Sequence, residues 1–172
     1  MHWNDIFLQL FDRCVAEYRG GNRHFASYYG DNDLSFLASI GCRQREFFDF
    51  VEDYCDDGTP SPGTALLVTA VRRDYFLIEQ AAAPWNGPLL TRDEVPSFGD
   101  ALDGIAYLPR IIAKARAKLR GALDPDLMFC CGGDRNFFRK HGHLHPADFL
   151  RIVWAAGDDD GRIVQWVRGQ MN

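Results

Sequence analysis

Ala16-Glu17-Tyr18-Arg19-Gly20 and Ala117-Lys118-Leu119-Arg120-Gly121 stand 101 residues apart, each closing an apolar segment with helical spacing. The same offset relates Asp33 to Asp134, Phe36 to Phe137 and Gly41 to Gly142. One inserted residue then moves the offset to 102, at which Glu46-Phe47-Phe48 meets Asp148-Phe149-Leu150 and Val51 meets Val153. Asp56-Asp57 likewise meets Asp158-Asp159. The matches include stops and starts as well as core positions, which shared apolar spacing alone does not require. They predict an all-α fold of two pseudo-repeated helical units, about 5–82 and 104–169, joined by a connector over 84–103 and packed as one compact domain of residues 1–172.

The helices follow from periodicity. Phe7, Leu10, Phe11, Cys14 and Tyr18 share one face of a helix over 5–19, and glycine is expected to close it in the left-handed conformation. A short helix follows, with Asp33 as its candidate cap and Gly41 as its stop. A third runs from Gln44 to Tyr54, with Phe47, Phe50, Val51 and Tyr54 inward. Thr59-Pro60-Ser61-Pro62-Gly63 reads as a turn. A helix over 64–82 then places Leu67, Ala70, Val71, Tyr75 and Ile78 on its buried face. Pro84, Gly87, Pro88 and Pro96 puncture the connector, which is expected to lie on the surface anchored by Trp85 and Phe98. The second unit repeats the order over 107–119, 134–140, 146–156 and 161–169. Pro146 opens its third helix, where a missing N–H costs nothing.

Composition narrows the functional classes. At 172 residues, with 47% hydrophobic and 25% charged side chains, the chain fits an ordinary globular protein. A net charge of −5 argues against broad electrostatic attraction to nucleic acid or an anionic membrane. No apolar stretch approaches the roughly 20 residues that span a bilayer. The start, Met1-His2-Trp3-Asn4-Asp5, has no basic segment followed by an apolar run. A cytoplasmic location is therefore expected, and the five cysteines read as thiols and not as a disulfide framework.

Two segments of the second unit concentrate reactive residue types. Cys130-Cys131-Gly132-Gly133 precedes a helix start at Asp134. Free N–H groups and the helix dipole there favour a thiolate or an anion, and paired glycines admit a ligand close to the backbone. Cys130 and Cys131 are thus candidate nucleophiles, and Gly132 and Gly133 candidate ligand contacts. The alternative is a buried turn with cysteine as a small apolar residue. His141-Gly142-His143-Leu144-His145 offers three imidazoles for metal binding, with His143 also a candidate for catalysis. The spacing matches no established zinc pattern. The alternative makes the histidines solvated loop residues, with Leu144 and Phe149 stapling the next helix. A helix over 134–140 would hold the thiols and imidazoles about 10 Å apart, so one shared metal site requires the flanking loops to fold back.

Arg110, Lys114, Arg116, Lys118 and Arg120 make one helix wholly basic in its charges. Arg110 and Lys114 are candidate contacts to an acidic or phosphorylated ligand, against the plainer reading of a solvated face. Arg72-Arg73-Asp74 reads as a salt-bridged face. Gly-x-Ser-x-Gly, His-Glu-x-x-His and paired Cys-x-x-Cys knuckles are absent, which counts against common hydrolases and zinc fingers.

Asp103-Gly104-Ile105-Ala106-Tyr107-Leu108-Pro109-Arg110, continuing to Lys114 and Arg116, resembles the opening of a bacterial uncharacterised family, domain of unknown function 5069. Asp134-Arg135-Asn136-Phe137-Phe138 and the ending Asp158-Asp159 with Ile163-Val164-Gln165-Trp166-Val167 fit the same pattern, over roughly residues 100–168. The resemblance implies a small cytosolic helical domain and brings no catalytic residues. Two functions stay open. One is a binding or regulatory module for a small molecule or a protein partner. The other is a small-molecule enzyme or metal protein using the Cys130/Cys131 and His141/His143/His145 segments.

Overall fold

The computed structural model describes residues 2–171. Among them are eight α-helices, one 3-10 turn and one hairpin of two-residue strands, so the fold is all-α as the periodicity predicts. The chain separates into two units, with the break between Pro84 and Trp85.

The first unit holds α1 (Trp3–Arg19), α2 (Asp31–Ser39), α3 (Gln44–Asp57) and α4 (Pro62–Ile78). The expected face of α1 is buried in full. Its left-handed stop is Gly21 at φ +94°, one residue beyond the helical Gly20. Asp33 is not the cap of α2. Gly30 is, and Asp33 sits two residues inside the helix, where its carboxylate accepts the Gly30 N–H at 2.8 Å. This is the acidic half of a capping box, supplied from the third helical position. α3 outruns its expected end at Tyr54 and closes at Gly58, φ +71°. Its Phe47 ring packs edge-on against Phe7 and Phe11, at 5.0 and 5.9 Å between centroids.

α4 corrects two expectations. Ser61 caps it by accepting the Thr64 N–H, so Pro62 and Gly63 belong to the helix and not to the turn. Its buried face is Ala65, Val68, Thr69, Val71, Arg72 and Phe76, while Leu67 and Ile78 are 44% and 68% exposed. The true stripe contains a threonine and an arginine, so a reading by hydrophobicity selects a neighbouring, more apolar stripe. Arg72 is buried over the Phe76 ring and donates to Gln80, and burial lowers its pKa to about 10.

The second unit holds the antiparallel hairpin β1 (Ala101–Leu102) and β2 (Ile105–Ala106), then α5 (Leu108–Arg120), α6 (Gly132–Lys140), α7 (Pro146–Ala156) and α8 (Asp160–Gln170). The punctuated stretch before α5 is folded against this unit. Leu90 exchanges backbone hydrogen bonds with Ala122 and Asp124, and Val95 is buried. Trp85 and Phe98 stay 37% and 68% exposed, beneath the guanidinium groups of Arg120 and Arg110. α7 has the expected bounds, with Leu144 and Phe149 buried at the two staple positions.

α5 buries Leu108, Ile111, Ile112, Ala115 and Leu119 as expected. Its basic face is not simply solvated. Lys114 and Lys118 are each 2% exposed, and Arg116 reaches the Gly157 carbonyl and the Asp160 carboxylate of the same unit. α2 and α6 begin and end 101 residues apart, and α3 and α7 begin 102 apart. No helix among the described residues is long and apolar enough to cross a membrane.

Candidate functional site

α6 decides the site. Its cap is Cys131, so Gly132 and Gly133 form the first turn and Asp134 stands third. From there Asp134, fully buried, gathers three donors. Its Oδ2 accepts from Lys114 Nζ at 2.6 Å and from the Cys130 N–H at 2.8 Å, and its Oδ1 accepts the Tyr107 hydroxyl at 2.8 Å. Lys114 and Tyr107 both come from the α5 end of the unit, seven residues or about two helical turns apart. Lys114 Nζ also lies 3.3 Å from Sγ of Cys131, which is half-buried. An ammonium, a carboxylate, a phenol and a thiol thus share one small volume.

Electrostatics explain why the cluster stays intact. A buried charge is costly unless paired and hydrogen-bonded, and Lys114 and Asp134 meet that condition for each other. Burial, then the neighbouring Asp134 carboxylate, pushes the Tyr107 phenol up. Burial likewise pushes the Cys130 thiol up to about 12, with Asp134 again the second cause. Cys130 is therefore a poor nucleophile near neutral pH, and of these two adjacent thiols only Cys131 is half-buried. Tyr107 and Cys130 both adopt positive φ, at +72° and +75°. Non-glycine residues seldom do so, and here both flank the same carboxylate.

The remaining candidates divide. A Cβ on Gly133 would lie 2.8 Å from the Tyr107 hydroxyl, so a close approach by tyrosine accounts for that glycine. Gly132 is exposed with space around it. Arg110 turns away from Lys114, donating to the Pro96 carbonyl at 2.7 Å and stacking on Phe98 at 4.2 Å. The three histidines do separate work. His141 stacks on Phe137 at 4.2 Å, with Nδ1 2.8 Å from the Phe137 carbonyl. His143 is exposed at φ +54°. His145 is not a solvated loop residue, because it caps α7 by accepting the Ala147 N–H. They lie at the far end of α6 from Cys131. Among the described residues no three of His, Cys, Asp and Glu converge as metal ligands.

Sequence reasoning read Asp134 as a helix start and Tyr107 as a helix residue, and missed both as site members. A signal for the Lys114–Asp134 pair was present. In the first unit Arg13 Nη2 bonds Asp33 Oδ2 at 2.6 Å, and Asp33 accepts the Gly30 N–H. Positions 13, 30 and 33 return at 114, 131 and 134, each 101 further on. The first-unit side chains are 47% and 26% exposed, whereas Lys114 and Asp134 are 2% and 0%. A shallow groove of about 470 Å³ beside Trp166, Ile152 and Arg151 also went unforeseen.

Residues 93–172 match the family described as Domain of unknown function (DUF5069). The match covers the Tyr107-Leu108-Pro109-Arg110 segment, both strands and α5 to α8. No curated protein and no solved structure matches the chain.

Proposed function

We propose, from a second unit that matches a family without an assigned activity, that the chain is a ligand-binding or regulatory helical module working at the thiol of Cys131. One observation carries this reading. The Cys131 sulfur is half-buried against the ammonium of a buried lysine, which Asp134 holds in place. The ligand class that suits such a site is a small thiol-reactive or anionic molecule. The net charge of −5 disfavours nucleic acid as a partner. A cytoplasmic setting is part of the proposal, since a chain built on five thiols suits a reducing compartment.

Limited alkylation of the native protein with iodoacetamide, followed by peptide mapping, tests the reading. Cys131 is expected to label ahead of the half-buried Cys55, whose thiol burial pushes up, with buried Cys14, Cys42 and Cys130 protected until unfolding. Equal rates at Cys131 and Cys130 in the folded protein would sink it.

The second reading, an enzyme or metal protein, draws on the Tyr107 hydroxyl and the Asp134 carboxylate beside the thiol. Elemental analysis separates the metal version: stoichiometric metal lost in His143→Ala would favour it.

The two units are also proposed to be an internal duplication. The shared bounds of α2 and α6 and the repeated Arg13–Asp33 and Lys114–Asp134 pairs support it. The Asp repeat at 56–57 and 158–159 does not, because the first pair ends α3 while Asp159 caps α8.

A further inference from the structure

We infer that Lys114 and Cys131 form a site of oxidative covalent modification, at which a hydroperoxide converts the facing thiol and ammonium into a nitrogen–sulfur link. The inference rests on the proposed function in one respect, that solvent reaches Cys131. Lys114 Nζ and Cys131 Sγ are 3.3 Å apart, a separation from which bond formation needs little further motion. The lysine is 2% exposed and pinned by Asp134 at 2.6 Å, so its amine is held against the sulfur.

The positions 101 residues earlier sharpen the case. There a guanidinium, Arg13, and a glycine, Gly30, accompany Asp33. The second unit keeps the acid–base pair and places an amine and a thiol, two groups that can react together, at these same two positions. Stabilising the short helix requires neither change, as the first unit demonstrates.

The chemistry balances in two steps. The Cys131 thiol attacks hydrogen peroxide, a sulfur–oxygen bond forms, the oxygen–oxygen bond breaks, and one water leaves a sulfenic acid. Lys114 then gives one proton to Asp134. Its nitrogen lone pair attacks the sulfur, and the sulfur–oxygen bond breaks. The departing hydroxide takes a second proton from nitrogen and leaves as water. Sulfur has been oxidised, peroxide reduced, and Asp134 carries the remaining proton. A thiol reductant reverses the link by attacking sulfur and returning the amine.

The test treats the full chain with dilute hydrogen peroxide, quenches it, and digests it with trypsin without reductant. The link blocks cleavage after Lys114. Residues 111–116 are then joined to residues 121–135, which carry Cys130 and Cys131, with a mass about 2 Da below the sum of the two peptides and fragment ions that place the link on Cys131. Dithiothreitol is expected to release both, and Lys114→Arg, which keeps a cation beside Asp134, to abolish the joined species. If that variant does not fold by circular dichroism, the wild-type map decides alone. A loss of about 2 Da within 121–135 alone, a Cys130–Cys131 disulfide, overturns the inference. Sulfinic acid at Cys131 with Lys114 still cleaved also overturns it, and leaves the thiol-site reading standing. A Cys131 untouched by peroxide that oxidises the urea-unfolded chain overturns both.

Discussion

Asp134 organises the second unit's site because a fully buried carboxylate must collect donors. Removing it strands Lys114 as an uncompensated charge, and breaking a buried pair costs about 3–5 kcal/mol. Asp134→Ala is expected to lose about that much in urea unfolding. Lys114→Met should lose less, because Asp134 keeps the Tyr107 hydroxyl and the Cys130 N–H. The Arg13–Asp33 pair faces solvent, where such pairs contribute about 0–1 kcal/mol. Equal losses for Arg13→Ala and Asp134→Ala would show that burial does not distinguish the two. The residue types at this site were legible in the sequence, since Cys131 and Lys114 stand out there. Their meeting was not, because it joins positions 17 residues apart across a loop whose course local pattern does not specify.

Elements were more legible than sites. Caps and stops act over three or four residues, and most helix starts fell within three residues of their expected places. The two internal glycines carry a test. Gly41, at φ +65°, would put a Cβ 2.6 Å from the Phe76 ring, and Gly142, at φ +88°, would run a Cβ into the Gln170 carbonyl. Strained backbone and steric conflict act together, so Gly41→Ala and Gly142→Ala should each destabilise by more than about 1 kcal/mol. Thermal melts of the two variants check this, and a neutral result at either removes its role as an obligatory stop. Ser61→Ala, which deletes the α4 cap, should cost about 1 kcal/mol on the same measurement. The buried face of α4 was misread for a physical reason. Arg72 is buried by its stem and by stacking on Phe76, and long cationic side chains cover apolar surface in ways that a hydrophobicity pattern does not register.

At the scale of the whole molecule, stability is expected to depend on pH through the first unit. Burial pushes the Asp49 carboxyl up to about 7, and the Arg45 guanidinium at 2.8 Å offsets this only in part. Between its ordinary value near 4 and about 7 the unfolded chain ionises this group first, while the folded chain holds the proton. Stability therefore falls as pH rises through that window and levels off above it. Asp49→Asn is expected to flatten the dependence and to exceed the wild type in urea midpoint at pH 8. A wild-type midpoint that rises from pH 5 to pH 8, with no change of slope in the variant, would contradict this assignment.

The sequence by itself determined the helical class, the order of the helices and the 101-residue spacing of the short helices. These depend on periodicity and capping, which act between near neighbours in the chain. The tertiary structure decided which cysteine meets a lysine, and that Lys114 is an internal cation and not a surface one. It also decided that the three histidines stack, face solvent and cap in turn. Those outcomes depend on atoms brought together across loops, and burial then sets what each charge costs and which thiols stay within reach of solvent.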